Sequence, residues 1–423
     1  MNRLHDTIAA VATAPGAAGV AVVRVSGPDA HSIARRVAGA LPEAGRFSFA
    51  KFRNPSTGEV ADEGLVLSFA APRSYTGEDV VELQGHGGTV APRRVLESCL
   101  AAGARLARRG EFTERAFLNG KLGLDEAEAL LDFINAKTSR AADAALAGME
   151  GARRRALRTA YDAIIDLAAT IENALDVDES ELADDFYEGL RTGLGAVRSS
   201  IEGQIRRERE GMILREGALV VLAGPPNAGK SSLMNALLRQ ERAIVSAVPG
   251  TTRDTIEEWL DVEGWPVRLV DTAGLRDTDD AIEAEGVRRA KSLMEGADVV
   301  LALDCEIEGA VRVHAKCDLG PGYGIPVSSL TGEGLAELRR AIASRLESLR
   351  ERADEAEPVG GRDGESVIPA LTESLALLPA DFADLVLSAN ALRRASERIA
   401  PEIGAEYSDD ILDRLFSRFC IGK

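Results

Sequence analysis

The chain has no run of about 18 apolar residues, the length needed to cross a bilayer, so no membrane-spanning helix is expected. Its first residues, Met1-Asn-Arg-Leu-His-Asp-Thr-Ile8, lack the basic-then-apolar order of a signal peptide. Cysteine is scarce. Cys99, Cys305, Cys317 and Cys420 lie far apart, and no Cys-x-x-Cys pair occurs. That excludes a zinc-ribbon pattern and fits a reducing cytoplasm. No internal repeat is visible. Net positive charge is lacking as well: the formal charge is −18. Such a balance favours solubility and opposes broad nonspecific binding to nucleic acid. Two basic clusters, Arg153-Arg-Arg-Ala-Leu-Arg158 and Arg206-Arg-Glu-Arg209, still allow a local basic face. Solvated helix surfaces are the plainer account of both.

What is present is enough apolar material for several cores. A chain of 423 residues that is 45% hydrophobic implies two or three domains. Up to about residue 118 the pattern mixes strands with helices. Gly19–Val25, Leu65–Phe69 and Asp79–Leu83 read as strands, and 29–41 and 90–102 as helices. From 119 to 216 the spacing turns helical, clearest over Leu122–Ile134 and Tyr161–Leu175. The acidic stretch Asp176–Asp185 reads as a solvated helix connection, with a metal site as the second choice. Residues 217–350 alternate strand and helix, as a parallel sheet with crossovers does. A linker over 351–369 follows, and helical signals return in 370–423. The expected architecture is therefore multidomain: an α+β N-terminal domain, and a helical domain into which an α/β nucleotide domain is inserted.

The inserted domain carries the most informative stretch, Gly224-Pro-Pro-Asn-Ala-Gly-Lys-Ser231. It matches the P-loop pattern G-x-x-x-x-G-K-[ST]. The apolar run Ala218–Ala223 before it reads as a strand, and Ser232–Leu238 after it as a helix, which is the context the motif requires. The two glycines let the backbone turn its N–H groups inward toward phosphate oxygens, and the helix N-terminus adds positive potential. Asn227, Ala228, Gly229, Lys230, Ser231 and Ser232 thus form the expected GTP phosphate cradle. Lys230 would neutralise phosphate, and Ser231 would offer its hydroxyl to Mg2+. A glycine-rich turn with a chance Lys-Ser is the alternative, and it leaves strand and helix unexplained.

Two further elements favour a GTPase-type switch over an ATPase. Asp271-Thr-Ala-Gly274 follows the apolar strand Val267–Val270, so Asp271 can hold the Mg2+ water shell and the Gly274 amide can meet a γ-phosphate. Gly250-Thr-Thr-Arg-Asp254 is a loop whose hydroxyls, Thr251 and Thr252, can complete the Mg2+ sphere when a γ-phosphate is present. The base-reading element is less regular. GTPases usually carry Asn-Lys-x-Asp, whereas this chain has Ala315-Lys-Cys-Asp318. Lys316 and Asp318 remain, and an amide is lost. Ser328 and Ser329 open the last guanine-contact loop. Only Cys305 to Ala310 join the strand candidates on either side, while a parallel crossover needs about a dozen residues. One helix of the usual domain is expected to be missing. Leu275 stands where Ras-like enzymes place a glutamine. Glu283 can orient water instead, through a bridging molecule, or can be an ordinary helix-start glutamate.

Over nearly its whole length the chain resembles one family, the tRNA modification GTPases that act with a flavin-dependent partner on the wobble uridine. The resemblance rests on Asp6-Thr-Ile8, Gly19–Gly27, Tyr75–Gly88, Gly110–Lys121, Gly224–Ser232, Gly250–Asp254 and the terminal Phe419-Cys-Ile-Gly-Lys423. It implies an N-terminal folate-binding and dimerisation domain, a helical domain and a Ras-like P-loop GTPase domain, here shortened. It implies a homodimer that joins an FAD-dependent partner in a heterotetramer and acts on tRNA. By motif position it implies that Arg24, Glu82, Lys121 and Lys423 hold 5,10-methylenetetrahydrofolate or its 5-formyl analogue. Such residues suit a glutamate tail and a pterin edge. It implies that Cys420 lies near the modification chemistry, although a lone cysteine beside Phe419 and Ile421 also reads as a buried hydrophobe. It implies a K+ ion held by Asn227, Thr251 and the carbonyls of Ser246 and Val248. The Mg2+ ligands would be Ser231 and Thr252, and Glu283 would be the water-orienting acid. Two other outcomes are weighed: an assembly-type GTPase switch acting on ribosomes, and a family member whose GTPase domain has degenerated.

Overall fold

The structure, a computed structural model, describes residues 6–175, 185–240, 257–271, 292–351, 368–404 apart from 381 and 383, and Gly422. The described residues fall into two compact units, one up to Leu131 together with Gly422, the other from Asp132 to Gly404.

The first unit opens with β1 (Ile8–Val11), β2 (Val20–Ser26), α1 (Ala30–Ala38), β3 (Phe47–Arg53), β4 (Val60–Phe69) and β5 (Val80–His86). It continues through α2 (Ala91–Ala101), β6 (Arg105–Leu106), α3 (Glu111–Leu118) and the start of α4 (Leu124–Asn135), a helix whose residues from Asp132 belong to the second unit. The six strands form one sheet in the order β3-β4-β5-β2-β1-β6. Strand alternation sorts its two faces. Ala9, Val23, Val25, Val81 and Leu83 pack with Ile33, Val37, Val95 and Cys99 of α1 and α2. Ile8 and Ala10 point the other way and pack with Ala107, Phe112 and Tyr75. Arg24 and Glu82 share that second face by the same alternation.

In the second unit the end of α4 is followed by α5 (Ser139–Met149), capped by the Thr138 hydroxyl, which accepts the Ala141 N–H at 3.2 Å. Two long helices follow, α6 (Ala152–Leu175) and α7 (Phe186–Glu216). Then come β7 (Ala218–Ala223), α8 (Lys230–Gln240), β8 (Glu257–Val262), β9 (Trp265–Asp271), β10 (Val299–Leu303), β11 (Val311–Ala315) and β12 (Ile325–Val327). The helices α9 (Leu335–Glu351), α10 (Ile368–Leu377) and α11 (Leu385–Gly404) complete it.

Apolar residues at helical spacing explain the bundle. Leu157, Ala160, Ile164, Ala168 and Ile171 of α6 pack with Leu190, Leu194, Val197 and Ile201 of α7 and with Leu392, Ala395 and Ile399 of α11. Helices on both sides of 218–351 in sequence thus share one core, so the nucleotide sheet is an insertion between two parts of a bundle. That sheet has the order β12-β11-β10-β7-β9-β8 and is parallel except for β8. Its core lies against Leu233, Met234 and Leu237 of α8 and Leu338, Ile342 and Leu346 of α9.

The crossover from β10 to β11 contains no helix. Register explains how so short a link closes a parallel pair. Val311 sits beside Leu301, so the chain leaving Leu303 retraces only about 7 Å along the strand before re-entering. Asp304 (φ 49°) and Gly309 (φ 74°) make the turns. The next crossover, from β11 to β12, also lacks an α-helix and has only the 3-10 turn Cys317–Leu319. Sequence reading anticipated the first omission and missed the second.

Candidate functional site

The nucleotide site sits at the carboxyl edge of the second sheet, where ligands of open parallel sheets bind. β7 leads directly into Gly224 (φ 155°), whose Cβ, had it one, would meet the Leu303 carbonyl oxygen at 2.6 Å. Only glycine allows that approach. Asn227 (φ 62°) and Gly229 (φ 95°) continue the curl. Ala228 is buried, and Ser232 is exposed at the start of α8. Lys230 is 6% exposed, and its Nζ donates to the carbonyls of Gly224 and Pro225, each at 2.9 Å. The Ser231 hydroxyl donates to the Asp271 carboxylate at 2.5 Å. Asp271 ends β9 beside Leu222 of β7, which is why residues forty apart in sequence meet. A hydroxyl and a carboxylate in contact are a hard-oxygen pair that suits Mg2+.

The base-reading loop is tied to this cradle. Lys316, itself at φ 57°, donates from Nζ to the Asn227 carbonyl at 2.8 Å. Asp318 follows in the 3-10 turn and is exposed. Ala315 pairs with Val327, so the chain leaves β11 and β12 side by side, with Lys316 next to the start of the Ser328-Ser329 loop. Ser328 is fully buried, and its hydroxyl accepts the Thr331 N–H at 3.2 Å, which shapes that loop. Ser329 is half-buried. Ser246, Val248, Thr251, Thr252, Gly274 and Glu283 lie outside the described residues.

In the first unit the structure brings Arg24 and Glu82 together as cross-strand neighbours. Arg24 Nε donates to Glu82 Oε1 at 3.0 Å, and Nη2 lies 2.9 Å from the same oxygen. The guanidinium lies over the Tyr75 ring at 5.1 Å and the Phe112 ring at 5.6 Å. Burial raises the Tyr75 phenol above its usual value, and its OH pairs with Thr113 Oγ1 at 2.8 Å. Lys121 donates to the Pro72 carbonyl at 3.1 Å, and a Cβ on Gly77 would lie 3.2 Å from the Lys121 stem. Lys121 therefore borders the 72–77 loop that carries Tyr75. Cys420 and Lys423 lie outside the described residues, whereas Gly422 (φ 102°) packs so tightly on Val11 and Ala12 that a Cβ there would collide with the Val11 carbonyl.

Sequence reasoning missed Tyr75 and Phe112 as the aromatic bed under Arg24, although both lie inside motifs it singled out. It also missed a buried charge cluster. Arg115 is 1% exposed and bonds the Asp6 carbonyl (2.8 Å) and carboxylate (2.6 Å), with Glu78 at 3.2 Å and Glu111 at 3.4 Å. Arg105 bridges Asp6 and Glu111 at 2.7 and 2.6 Å. The Arg105 hydrogen bond is the largest influence on the Asp6 carboxyl and, with Arg115, holds it below its ordinary value. This cluster clamps the sequence before β1 to α3 under the Arg24 site.

Known proteins match the chain along nearly its whole length. Residues 7–121 match the family described as GTP-binding protein TrmE N-terminus, and residues 124–420 match the MnmE helical domain. The tRNA modification GTPase MnmE of Alkalilimnicola ehrlichii is 42% identical over 449 residues, covering 99% of this chain and 100% of that protein. The protein of that name from Symbiobacterium thermophilum is 41% identical, with 99% and 100% covered. That from Geobacter sulfurreducens is 40% identical, with the same coverage. The matches run through both units and the inserted sheet, and the chain belongs to the MnmE family of tRNA modification GTPases.

Proposed function

We propose that the chain binds GTP with Mg2+ and K+ and uses its hydrolysis in the modification of C5 of the wobble uridine, U34, in certain tRNAs, together with an FAD-dependent partner. The product is an aminomethyl or carboxymethylaminomethyl group. The observation that carries the GTP reading is one connected set of contacts. Ser231 meets Asp271, and Lys316 of the base-reading loop grips the P-loop at Asn227. Phosphate cradle and base reader are thereby one assembly.

Each residue then has a physical task. The P-loop amides would meet phosphate oxygens and cost little reorganisation when charge develops, with the Ala228 N–H giving up its present bond to the Pro225 carbonyl at 3.3 Å. Lys230 exchanges its two carbonyl acceptors for phosphate oxygens. Ser231 and Thr252 would hold Mg2+, with Asp271 holding its water shell; the ion supplies neutralising charge when bound. Asn227, Thr251 and the Ser246 and Val248 carbonyls would hold K+. Gly274 would offer its amide to the γ-phosphate, and Glu283 would orient the attacking water. Asp318 accepts guanine N–H groups, a contact adenine cannot make, with Ser328 and Ser329 closing over the base.

For the first unit, Arg24, Glu82 and Lys121, with Lys423, would hold the folate. A cation, an acceptor and two aromatic faces in one place fit a carboxylate tail and a flat pterin. Cys420 would serve the modification chemistry. A homodimer through this unit is supported by edge strand β3, whose Phe47 and Phe49 are 70% and 66% exposed. A heterotetramer with the flavin partner and a cytoplasmic location complete the reading.

The test is a side-by-side GTP and ATP hydrolysis assay in K+ buffer, with the flavin partner added and withheld. GTP turnover well above ATP turnover supports the reading, and equal turnover contradicts it. A degenerate GTPase domain is the second reading, favoured by the two helix-less crossovers and by Ala315. It expects intact folate binding with weak or absent hydrolysis.

A further inference from the structure

On β11 the side chains sort strictly. Val311, Val313 and Ala315 join the core shared with α9, and Arg312 and His314 stand on the opposite face. There His314 is gripped from both crossovers. Its Nδ1 lies 3.0 Å from Asp304 Oδ1, in the β10–β11 link, and its Nε2 lies 2.8 Å from the Gly320 carbonyl, in the β11–β12 link. Both partners are acceptors. A neutral imidazole has one N–H, so its second nitrogen would set a lone pair against oxygen. Only the doubly protonated ring satisfies both contacts. Gly322 lies against the ring so closely that any Cβ there would collide with it. Beside it Arg312 pairs with Glu306 at 3.0 Å and lies 5.2 Å over the Tyr323 ring. Residues of both links thus cover the face of β11 that carries Arg312 and His314.

The consequence reaches the base. Asp318 lies between two tethers: Lys316, bonded to Asn227 of the P-loop, and Gly320, bonded to His314. With Ala315 in place of the usual asparagine, the loop amide makes no contribution. We propose that His314, as an imidazolium, is the positioning residue that fixes the guanine-reading Asp318, and that guanine selectivity falls when the ring loses its proton. This rests on the GTP reading above.

The surroundings set the sign. The Gly320 carbonyl first, and then Asp304, raise the proton affinity of the ring above its ordinary value of 6.5. Among the described residues, the charged groups of the two links and of β11 are Asp304, Glu306 and Glu308 from the first link, Arg312 from β11 itself, and Lys316 and Asp318 from the second. Pro326, its register partner on β12, is apolar. The clamp is therefore complete below the ordinary imidazole value and is lost as pH rises through the raised one.

The test measures GDP and IDP affinity of the full chain with Mg2+ by calorimetry, between about pH 6 and about pH 8. IDP lacks the 2-amino group that Asp318 accepts, and both nucleotides carry the same phosphates, so their ratio isolates the base contact. The expected result is a GDP-to-IDP preference about fivefold higher at the acid end, the scale of one hydrogen bond. His314→Gln should hold the ratio low and flat. Asp304→Asn, which leaves the ring in place, should flatten it too, and it serves if His314→Gln does not fold. Nitrogen NMR of the ring should show two N–H groups at the acid end. A ratio independent of pH in the unaltered chain, a neutral ring at the acid end, or a His314→Gln chain with the full ratio would overturn the inference while leaving GTP binding intact. Failure to bind either nucleotide would overturn the GTP reading and the inference with it.

Discussion

The bond from Lys316 to Asn227 joins two loops that sequence alone keeps 89 positions apart. At a site built from such single contacts, one substitution has a definite effect. Ala315→Asn restores the loop amide and should tighten GTP binding by about 1 kcal/mol, readable by calorimetry. Glu283→Ala should lower turnover while leaving GTP affinity nearly unchanged, and normal turnover in that variant would remove Glu283 from the mechanism. Arg115→Met removes the guanidinium that Glu78 and the Asp6 carbonyl face in the buried cluster, while Arg105 still pairs with Glu111, so it should destabilise the first unit by about 3 kcal/mol in denaturant unfolding. Residue identity in the cradle was legible in advance because phosphate binding needs particular residue types at a particular spacing. Arg115 was not legible, because nothing in a motif tells a buried arginine from an exposed one. His314 was not legible for a related reason: its partners come from two links whose shapes depend on absent helices.

Elements follow the same division. The strand over Ala218–Ala223 falls where its apolar run places it. The helix anticipated from Tyr161 in fact starts at Ala152. Its first turn is arginine-rich and has little apolar spacing, so periodicity could not find it, yet Leu157 anchors it to the bundle. β3 was also missed: only Phe52 of its seven residues is buried, so it has no clear inner face to read. β8 pairs antiparallel at the sheet edge, and its polar start, Glu257-Glu258, hides it. The helical signal after residue 370 resolves into α10 and α11 with a break at Pro379, and 405–421 lies outside the described residues. Turn geometry gives a prediction of its own. Gly334 (φ 73°) leaves no room for a Cβ beside the Pro326 carbonyl. Gly334→Ala should therefore distort the Ser328–Ser329 loop and weaken GTP binding, while folate binding by the other unit stays unchanged.

At the scale of the whole molecule, the two units answer to different conditions. Because the Asp6 carboxyl is held below its ordinary value of 3.8, its contribution to the first unit is complete above that value. It is lost as pH falls through the depressed one. A thermal melt followed toward acid should show the first unit weakening, and Arg105→Gln should blunt that acid dependence. The second unit should respond to salt identity: GTP hydrolysis in K+ should exceed that in Na+, and equal rates would remove the K+ assignment. The most direct measurement of the account is calorimetric titration of the full chain with GTP and with ATP, in K+ and Mg2+. The contacts among Ser231, Asp271, Lys316 and Asn227 predict saturable binding of GTP and none of ATP. Equal binding of the two nucleotides, or no binding of GTP at millimolar concentration, would contradict it.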